Sequence, residues 1–368
     1  MLGEELLETP CVTSCQRTRE AEEEQQQFVT LMCRPEAACG GNILSRRRAG
    51  THAGRRVLIS VPVSRGMRLS RRSQQTPTVP SWFAAALDQK AEHSDIDVDG
   101  CRIHLRTWGR REQPPLVLVH GGAAHSGWWD HIAPFFSQTH RVIAPDLSGH
   151  GDSGTRTTYH LHTWAREVVE AATAAGPSAR PTIVGHSMGG LVTSTAAEDY
   201  GEQIDSIVVI DSPLRDDAPE EARLRNRKKR ATGYQSKADI LARFTPVPAQ
   251  QTVLPYVARH IAAESVRRTL KGWFWKFDPA IFGAPLLDET PAEQETMERT
   301  LAELPCRVGY MRCEAGLVPP DMGDRIQSIL QLRGPFVELA QAGHHPMLDQ
   351  PLPLVATLRT LLEMWSIT

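Results

Sequence analysis

The segment best suited to chemistry is TIVGHSMGGL, residues 182–191, where Ser187 stands between Gly185 and Gly189. A short apolar run precedes the serine and small residues follow it, which predicts a strand that turns sharply into a helix. Glycines on both sides permit a turn so tight that side chains there would clash. A chance turn is the alternative, but this position between strand and helix favours an exposed nucleophilic serine.

Two neighbouring histidines are candidates for the base that a serine nucleophile needs. His344 and His345 follow a short apolar run in the segment AGHHP. A loop after a strand can direct one of them toward Ser187 while the other points elsewhere. Their spacing alone leaves both assignments open.

A loop of small residues, His120-Gly121-Gly122-Ala123, follows an earlier apolar run. Small residues allow the backbone to approach a substrate closely. An oxyanion hole combines the N–H of the residue after the nucleophile with an N–H from such a loop. We therefore predict Gly122 and Met188 as the two donors, and a structural role for His120.

The apolar runs that carry these residues alternate with helical stretches, which predicts a mostly parallel sheet with helices on both faces. Asp99-Gly100 lies between two alternating segments and predicts a β-hairpin. A long charged gap from about 213 to 302 predicts a helical insertion. The predicted buried strands are residues 116–119, 142–144, 182–184, 207–210, 308–311 and 336–339, and helices are predicted over 163–175 and 191–200.

Taken together, these segments resemble the α/β-hydrolase fold superfamily, and within it the serine esterases and related hydrolases with a helical cap. The resemblance covers residues 81–365 and rests on motifs in the family's order, at 120–122, 146–153, 185–190 and 343–344. It implies an eight-stranded, mostly parallel sheet built from residues 81–212 and 303–368, with residues 213–302 as the cap. By the family pattern the base is His344, and residues 146–153 form a structural turn.

The acid is where this sequence departs from the family pattern, which usually places it a few residues after strand seven. That slot holds Gly316, with Glu314 before it and Asp321 after it. A second arrangement in the superfamily has the acid at the end of strand six, where this chain has Asp211. We expect Asp211 to orient the histidine and keep Glu314 as the alternative. The other interpretation of Asp211 is a helix N-cap or a turn residue at the start of the cap domain.

These residues predict a serine hydrolase that cleaves a carboxylic ester, or a related acyl bond, of a small and largely apolar molecule through an acyl-enzyme on Ser187. A serine nucleophile, rather than aspartate, disfavours the haloalkane dehalogenases and epoxide hydrolases of the superfamily. Carbon–carbon bond hydrolases and cofactor-free haloperoxidases share the layout and remain alternatives, as does a non-catalytic ligand-binding member. The predicted reaction needs no cofactor and no metal ion.

Aromatic residues near these motifs predict an apolar wall for the substrate. They are Trp128 and Trp129 after the oxyanion loop, and Trp273 and Trp275 in the insertion. The alternative is that individual rings only anchor the cap to the body.

The composition disfavours several other classes of protein. The 368-residue chain has a net charge of −2, which does not indicate nucleic-acid binding. No apolar run reaches the ~20 residues of a membrane span, and the first residues lack the apolar segment of a secretory signal. Seven scattered cysteines favour a reducing, cytoplasmic location, and those from Cys11 to Cys39 lack the spacing of a zinc site.

Residues 1–80 predict a disordered or poorly structured leader. Residues 37–87 carry nine arginines and no acidic residue, and they lack a strong apolar period. A nucleic-acid arm or a transit segment is the alternative interpretation. Met67 is a candidate for the true start of the protein.

Overall fold

A computed structural model of the chain describes residues 79–176, 179–213, 233–283, 301–331 and 333–367. The predicted leader lies almost wholly outside the described residues, as do Met67 and the four cysteines nearest the start of the chain. The remaining cysteines, Cys101, Cys306 and Cys313, are buried free thiols.

Eight strands form one sheet, and two more form a separate hairpin. The sheet strands are β1 Glu92–Val98, β2 Cys101–Trp108, β3 Pro115–Val119, β4 Arg141–Pro145, β5 Thr182–His186, β6 Ser206–Ile210, β9 Arg307–Ala315 and β10 Phe336–Gly343. Their order across the sheet is β1-β2-β4-β3-β5-β6-β9-β10. Within this sheet, all neighbouring strands from β4 to β10 in that order are parallel, whereas the β1–β2 and β2–β4 pairs are antiparallel. The predicted eight-stranded, mostly parallel sheet is confirmed.

The first hairpin turns at the predicted dipeptide. Asp99 and Gly100 connect β1 to β2 with φ angles of 50° and 72°. Two consecutive positive φ values match the right-handed twist of the flanking strands, which is why Asp-Gly is common in such turns.

Helices cover both faces of this sheet. The described part of the chain contains the helices α1 Ser81–Asp88, α2 Leu161–Ala175, α3 Met188–Tyr200, α4 Lys237–Leu241, α5 Pro255–Glu264, α6 Pro320–Leu330, α7 Pro346–Asp349 and α8 Pro351–Ser366. Along β3, Val117 and Val119 pack in one core with α2, α3 and α6, whereas Leu116 and Leu118 pack in the other with α1, α5 and α8. Continuous apolar runs therefore form these strands because both of their faces are buried.

The parallel strands bring their carboxyl ends to one edge of the sheet. β3, β5, β6 and β10 all end there, and the predicted chemical residues follow these ends directly. In open α/β sheets this edge is where ligands bind.

The insertion between β6 and β9 is helical only in part. Its described residues, 233–283, contain α4 and α5, but also a hairpin of β7 Val266–Thr269 and β8 Gly272–Trp275. Alternating tryptophans on β8 suit a short strand better than a helix. α5 packs into the body, where Val257 and Ile261 are fully buried. The basic residues at 227–230 of this insertion lie outside the described residues.

A buried cation connects α5 to β2. The Arg106 guanidinium lies 2.7 Å from the Asp130 carboxylate and 2.9 Å from that of Glu264. His260 on α5 also hydrogen-bonds Asp130, at 2.9 Å. Burial acts to lower the pKa of Arg106, but the neighbouring Asp130 and Glu264 charges raise it above its usual value. The charge network therefore fixes α5 against the body.

We expect Arg106→Leu to lower the free energy of unfolding by roughly 3 kcal/mol or more, because it leaves the buried Asp130 without its cation. Urea denaturation followed by circular dichroism measures this loss. Arg166→Leu is the matched control, since it breaks the half-exposed 3.1 Å pair with Asp99 and should cost less than ~1 kcal/mol. Equal losses in the two variants would contradict a stabilising role for the Arg106 network.

Candidate active site

Ser187 occupies a strained turn between β5 and α3. Its φ and ψ angles are 55° and −124°, a region that non-glycine residues rarely adopt. The surrounding backbone holds it there, because the Ser187 N–H donates to the Ile210 carbonyl at 2.9 Å. The Ser187 carbonyl accepts from the Gly190 N–H at 2.8 Å and from the Ser212 hydroxyl at 2.7 Å.

The glycines around Ser187 are required by close backbone contacts. A Cβ at Gly185 would lie 2.1 Å from the Gly189 carbonyl oxygen, and one at Gly189 would lie 2.4 Å from the His120 carbonyl oxygen. Both distances are far below any van der Waals contact. The G-x-S-x-G pattern is thus explained by a turn packed directly against the end of β3.

Three predicted residues meet at the carboxyl edge in one hydrogen-bonded chain. The Ser187 Oγ lies 3.0 Å from Nε2 of His344, and Nδ1 of His344 lies 2.8 Å from Oδ2 of Asp211. The carboxylate accepts from Nδ1–H, so the neutral imidazole presents the lone pair of Nε2 to the serine hydroxyl. His344 is 2% exposed and Asp211 is fully buried.

Backbone amides from the end of β9 and from the loop after it bind the Asp211 carboxylate. Oδ2 accepts from the Leu317 N–H at 2.7 Å, and Oδ1 accepts from the Cys313 N–H at 3.2 Å. A Cβ at Gly316 would lie only 2.1 Å from Oδ2. The glycine in the slot where the family usually has its acid is therefore the residue that makes room for an acid from β6.

The alternative candidates for acid and base make other contacts. Oε2 of the exposed Glu314 accepts from the Gln341 N–H at 2.7 Å, at a bulge in β10. His345 makes no described hydrogen bond to the serine and donates from Nε2 to the Val247 carbonyl at 3.2 Å. Burial lowers the pKa of His345 to about 2, so its ring is neutral.

The small-residue loop after β3 lies beside Ser187. A Cβ at Gly121 would lie 3.3 Å from the serine Cβ, and one at Gly122 would lie 3.7 Å from the Met188 Sδ. Met188 is the first residue of α3, and the first N–H groups of a helix have no partner within it. Gly122 therefore lies next to the Met188 side chain at the start of α3.

His120 connects this loop to the turn after β4. Its Nδ1–H donates to the Gly121 carbonyl at 2.8 Å, and its Nε2 accepts from the Leu147 N–H at 3.1 Å. In the same turn the Asp146 carboxylate accepts from the N–H groups of Ser126 and Asp152, at 2.6 and 2.7 Å. These contacts agree with structural roles for His120 and for residues 146–153.

One site residue was missed in the sequence. His186, the second residue of G-H-S-M-G, donates from Nε2 to the His344 carbonyl at 2.6 Å. It therefore fixes the backbone of the histidine loop against the end of β5. Burial, and next the charge of His344, lower the pKa of His186 to about 3. No spacing rule marks this position, since the pattern accepts any residue there.

The predicted aromatic residues separate into two groups. Trp129 is fully buried in the core, where the alternative of a ring that only anchors the structure fits it better than a place in an open wall. The Trp128 ring lies 5.3 Å from that of His345 and 6.3 Å from that of Phe244. Phe244 in turn lies 6.1 Å from Trp275. Trp273, on the same hairpin, has the Lys237 ammonium over its ring at 5.7 Å.

The described residues contain two groups that could hold a metal ion, namely His186, His344 and His345, and His104, Asp146 and Asp152. The carboxylates of the second group already accept hydrogen bonds from the backbone and from Lys276. Within the described ranges, no helix has the length and apolarity to cross a bilayer.

Comparison with known proteins agrees with this geometry. A model of the alpha/beta hydrolase family matches residues 116–357, which include every residue of the hydrogen-bonded chain. The chain belongs to the α/β-hydrolase family. It is therefore a hydrolase by family.

The relatives of this α/β hydrolase have several named activities. A zebrafish (Danio rerio) serine hydrolase-like protein is 24% identical over 71% of this chain and 85% of its own length. A human serine hydrolase-like protein is 30% identical over 30% of this chain, and the match covers 56% of that protein. The mouse epoxide hydrolase 4 is 30% identical over 32% of this chain and 33% of its own length.

Solved structures share the fold of this α/β hydrolase. A thioesterase domain from the curacin biosynthetic pathway has a TM-score of 0.61 at 20% identity, over 73% of this chain and 99% of its own. An E-2-(acetamidomethylene)succinate hydrolase has a TM-score of 0.60 at 19% identity, over 74% of this chain and 99% of its own.

We expect Gly316→Ala to displace the Asp211 carboxylate, because the new methyl group would lie 2.1 Å from Oδ2. The downfield proton resonance of His344 Nδ1–H should shift or disappear, and stability should fall by about 1–3 kcal/mol. Proton NMR and thermal denaturation measure these effects. Gly283→Ala is the control, since a Cβ there meets nothing within 4 Å. An unchanged Nδ1–H resonance in Gly316→Ala would contradict this account of the glycine.

Proposed function

We propose that this α/β hydrolase is a serine hydrolase that cleaves a carboxylic ester, or a related acyl bond, of a small and largely apolar substrate. The observation that carries the proposal is the continuous chain from the Ser187 Oγ through His344 to the Asp211 carboxylate, with links of 3.0 and 2.8 Å. A serine hydroxyl is a weak nucleophile at neutral pH, and this arrangement activates it.

In the first half of the reaction, Ser187 attacks the carbonyl carbon of the substrate while His344 Nε2 takes the hydroxyl proton. Asp211 holds the imidazole in the required tautomer and stabilises the imidazolium that forms. The oxygen of the tetrahedral intermediate accepts from the N–H groups of Gly122 and Met188. His344 then gives its proton to the departing alcohol, which leaves an acyl group on Ser187.

In the second half, water takes the place of the alcohol. His344 removes a proton from the water as it attacks the acyl-enzyme, and the same two amides stabilise the second tetrahedral intermediate. Release of the carboxylic acid returns Ser187 and His344 to their starting states. A serine nucleophile distinguishes this route from the aspartate-based reactions of the superfamily, although the relatives include named epoxide hydrolases.

The apolar character of the substrate is inferred from the aromatic rings beside the site. Trp128, Phe244 and Trp275 form a contiguous series, with ring separations of 6.3 and 6.1 Å, that extends from the histidine loop to the insertion. Such a wall favours an acyl or alcohol group without charge. A cytoplasmic location stays a prediction from the cysteine usage.

We expect the wild type to hydrolyse p-nitrophenyl esters, with an optimum along a series from acetate to long acyl chains, and Ser187→Ala to lose roughly 10⁴-fold or more in kcat. Release of p-nitrophenol measures both rates. Ser328→Ala, which alters an exposed serine on α6, is the control and should retain wild-type turnover.

Turnover that survives in Ser187→Ala would overturn the assignment of the nucleophile. A wild type that turns over no ester would favour a carbon–carbon bond hydrolase, a haloperoxidase or a binding protein instead. Ligand binding that is unaffected by Ser187→Ala would favour a binding protein.

We also expect Asp211→Asn to lower kcat by about 10³–10⁴-fold, because the amide no longer selects the Nδ1–H tautomer of His344. Glu314→Gln is the matched control, since its carboxylate is exposed and accepts only from the β10 bulge in the contacts described. The ester assay compares the two variants. The reverse order of rates would assign the acid to Glu314.

A further inference from the structure

Three buried histidines converge beside Ser187. His186, His344 and His345 each offer one ring nitrogen, and these nitrogens all lie within 4.8 Å of one another. The ring centroids are 4.6 to 5.3 Å apart. The proposed mechanism uses His344 as the base and requires no imidazole at the other two positions.

Each of the three rings has one nitrogen anchored to an oxygen. His186 Nε2–H donates to the His344 carbonyl, His345 Nε2–H donates to the Val247 carbonyl, and His344 Nδ1–H donates to Asp211. The second nitrogen of each ring therefore carries a lone pair, which in His344 accepts from the Ser187 hydroxyl. Metal-binding histidines usually have this support, with the second ring nitrogen donating to a carbonyl or carboxylate.

The His345 lone pair is conspicuous because it is buried without a hydrogen-bond partner. Its Nδ1 is one of the enclosed side-chain nitrogens for which the described residues supply no donor. An enclosed polar atom without a partner is uncommon in proteins and points to a missing ligand or water.

We propose that His186, His344 and His345 bind a divalent ion of the zinc type, which inhibits the enzyme by occupying the lone pair that His344 needs as a base. Imidazole nitrogens suit Zn²⁺, Cu²⁺, Ni²⁺ and Co²⁺, whereas Mg²⁺ prefers oxygen ligands. The ion enters where the substrate does, since Ser187 is the partly exposed residue of the hydrogen-bonded chain.

Modest side-chain movement closes the site around the ion. Nitrogens bound tetrahedrally at ~2.1 Å lie ~3.4 Å apart, so a separation of up to 4.8 Å in the cluster has to shrink by at most about 1.4 Å. The Ser187 hydroxyl, 3.0 Å from His344 Nε2, or a water molecule completes the four ligands. The bound ion then replaces the hydrogen bond between serine and base, so catalysis stops while the fold is kept.

The test has a binding arm and an inhibition arm. Full-length protein is first freed of metal with a chelator. In the binding arm it is titrated with CoCl₂ and its visible absorption is recorded. In the inhibition arm a separate sample is titrated with ZnCl₂ and its ester hydrolysis is measured. We expect visible Co²⁺ bands of a four-coordinate imidazole site, inhibition by about one equivalent of Zn²⁺, recovery with EDTA, and no effect of MgCl₂. The inhibition arm rests on the proposed function, whereas the binding arm does not.

Single-histidine variants locate the ion. His345→Gln and His186→Gln should each lose the visible Co²⁺ bands and raise the half-inhibitory Zn²⁺ concentration at least about tenfold, relative to the metal-free rate of the same variant. Even an outer-shell change at a metal site costs about 10–100-fold in affinity. His104→Gln, in the second candidate group, and the exposed His162→Gln are controls that should keep wild-type behaviour.

Any one of four results would overturn the proposal. In the first, the wild type shows no bands of four-coordinate Co²⁺. In the second, the bands persist in both His345→Gln and His186→Gln. In the third, the bands are lost in His104→Gln instead. In the fourth, intense ultraviolet bands of cobalt–thiolate bonds assign the ion to cysteines rather than histidines. If the ester assay fails while the Co²⁺ bands appear and depend on these histidines, the metal site stands and only the proposed function falls.

Discussion

The carboxyl edge of this sheet is organised around the 2.8 Å contact between the Asp211 carboxylate and the His344 imidazole. A fully buried carboxylate is costly unless hydrogen bonds replace its water, and here two backbone amides and one ring N–H do so. The loop after β9 contributes no acid side chain and instead curves around an acid from β6, which requires Gly316. The position of the base therefore depends on a neighbouring strand that carries the carboxylate and on a loop that leaves room for it.

Much of this arrangement could be predicted from the sequence because it depends on strong local signals. Continuous apolar runs marked the parallel strands, and the residues directly after them, Ser187, Asp211 and His344, had to meet because parallel strands end at one edge. The choice between His344 and His345 needed the family pattern. The choice between Asp211 and Glu314 needed the observation that the usual acid slot holds glycine, whose steric reason only the structure supplies.

Other features could not be predicted, because they depend on packing between segments distant in the chain. The contact of His186 with the His344 carbonyl joins positions 158 residues apart, and no period or spacing marks it. Trp128 and Trp129 are adjacent and chemically identical, yet only Trp128 faces His345 and Phe244 while Trp129 fills the core. The β7–β8 hairpin lies in a stretch whose charge suggested a helix. It could not be predicted, because short strands form through packing against neighbouring strands rather than through local sequence alone.

The location of the acid directly after β6 also affects the order in which the site assembles during folding. Ser187 and Asp211 follow the adjacent paired strands β5 and β6, which are close in the chain, so contacts of short sequence separation bring these two residues together. His344 lies 133 residues beyond Asp211, after the whole insertion, and reaches them only when β10 has joined the sheet. Contacts of long sequence separation form late because of the entropy of loop closure. A growing chain would therefore bring the nucleophile and the acid onto neighbouring strands well before it acquires the base.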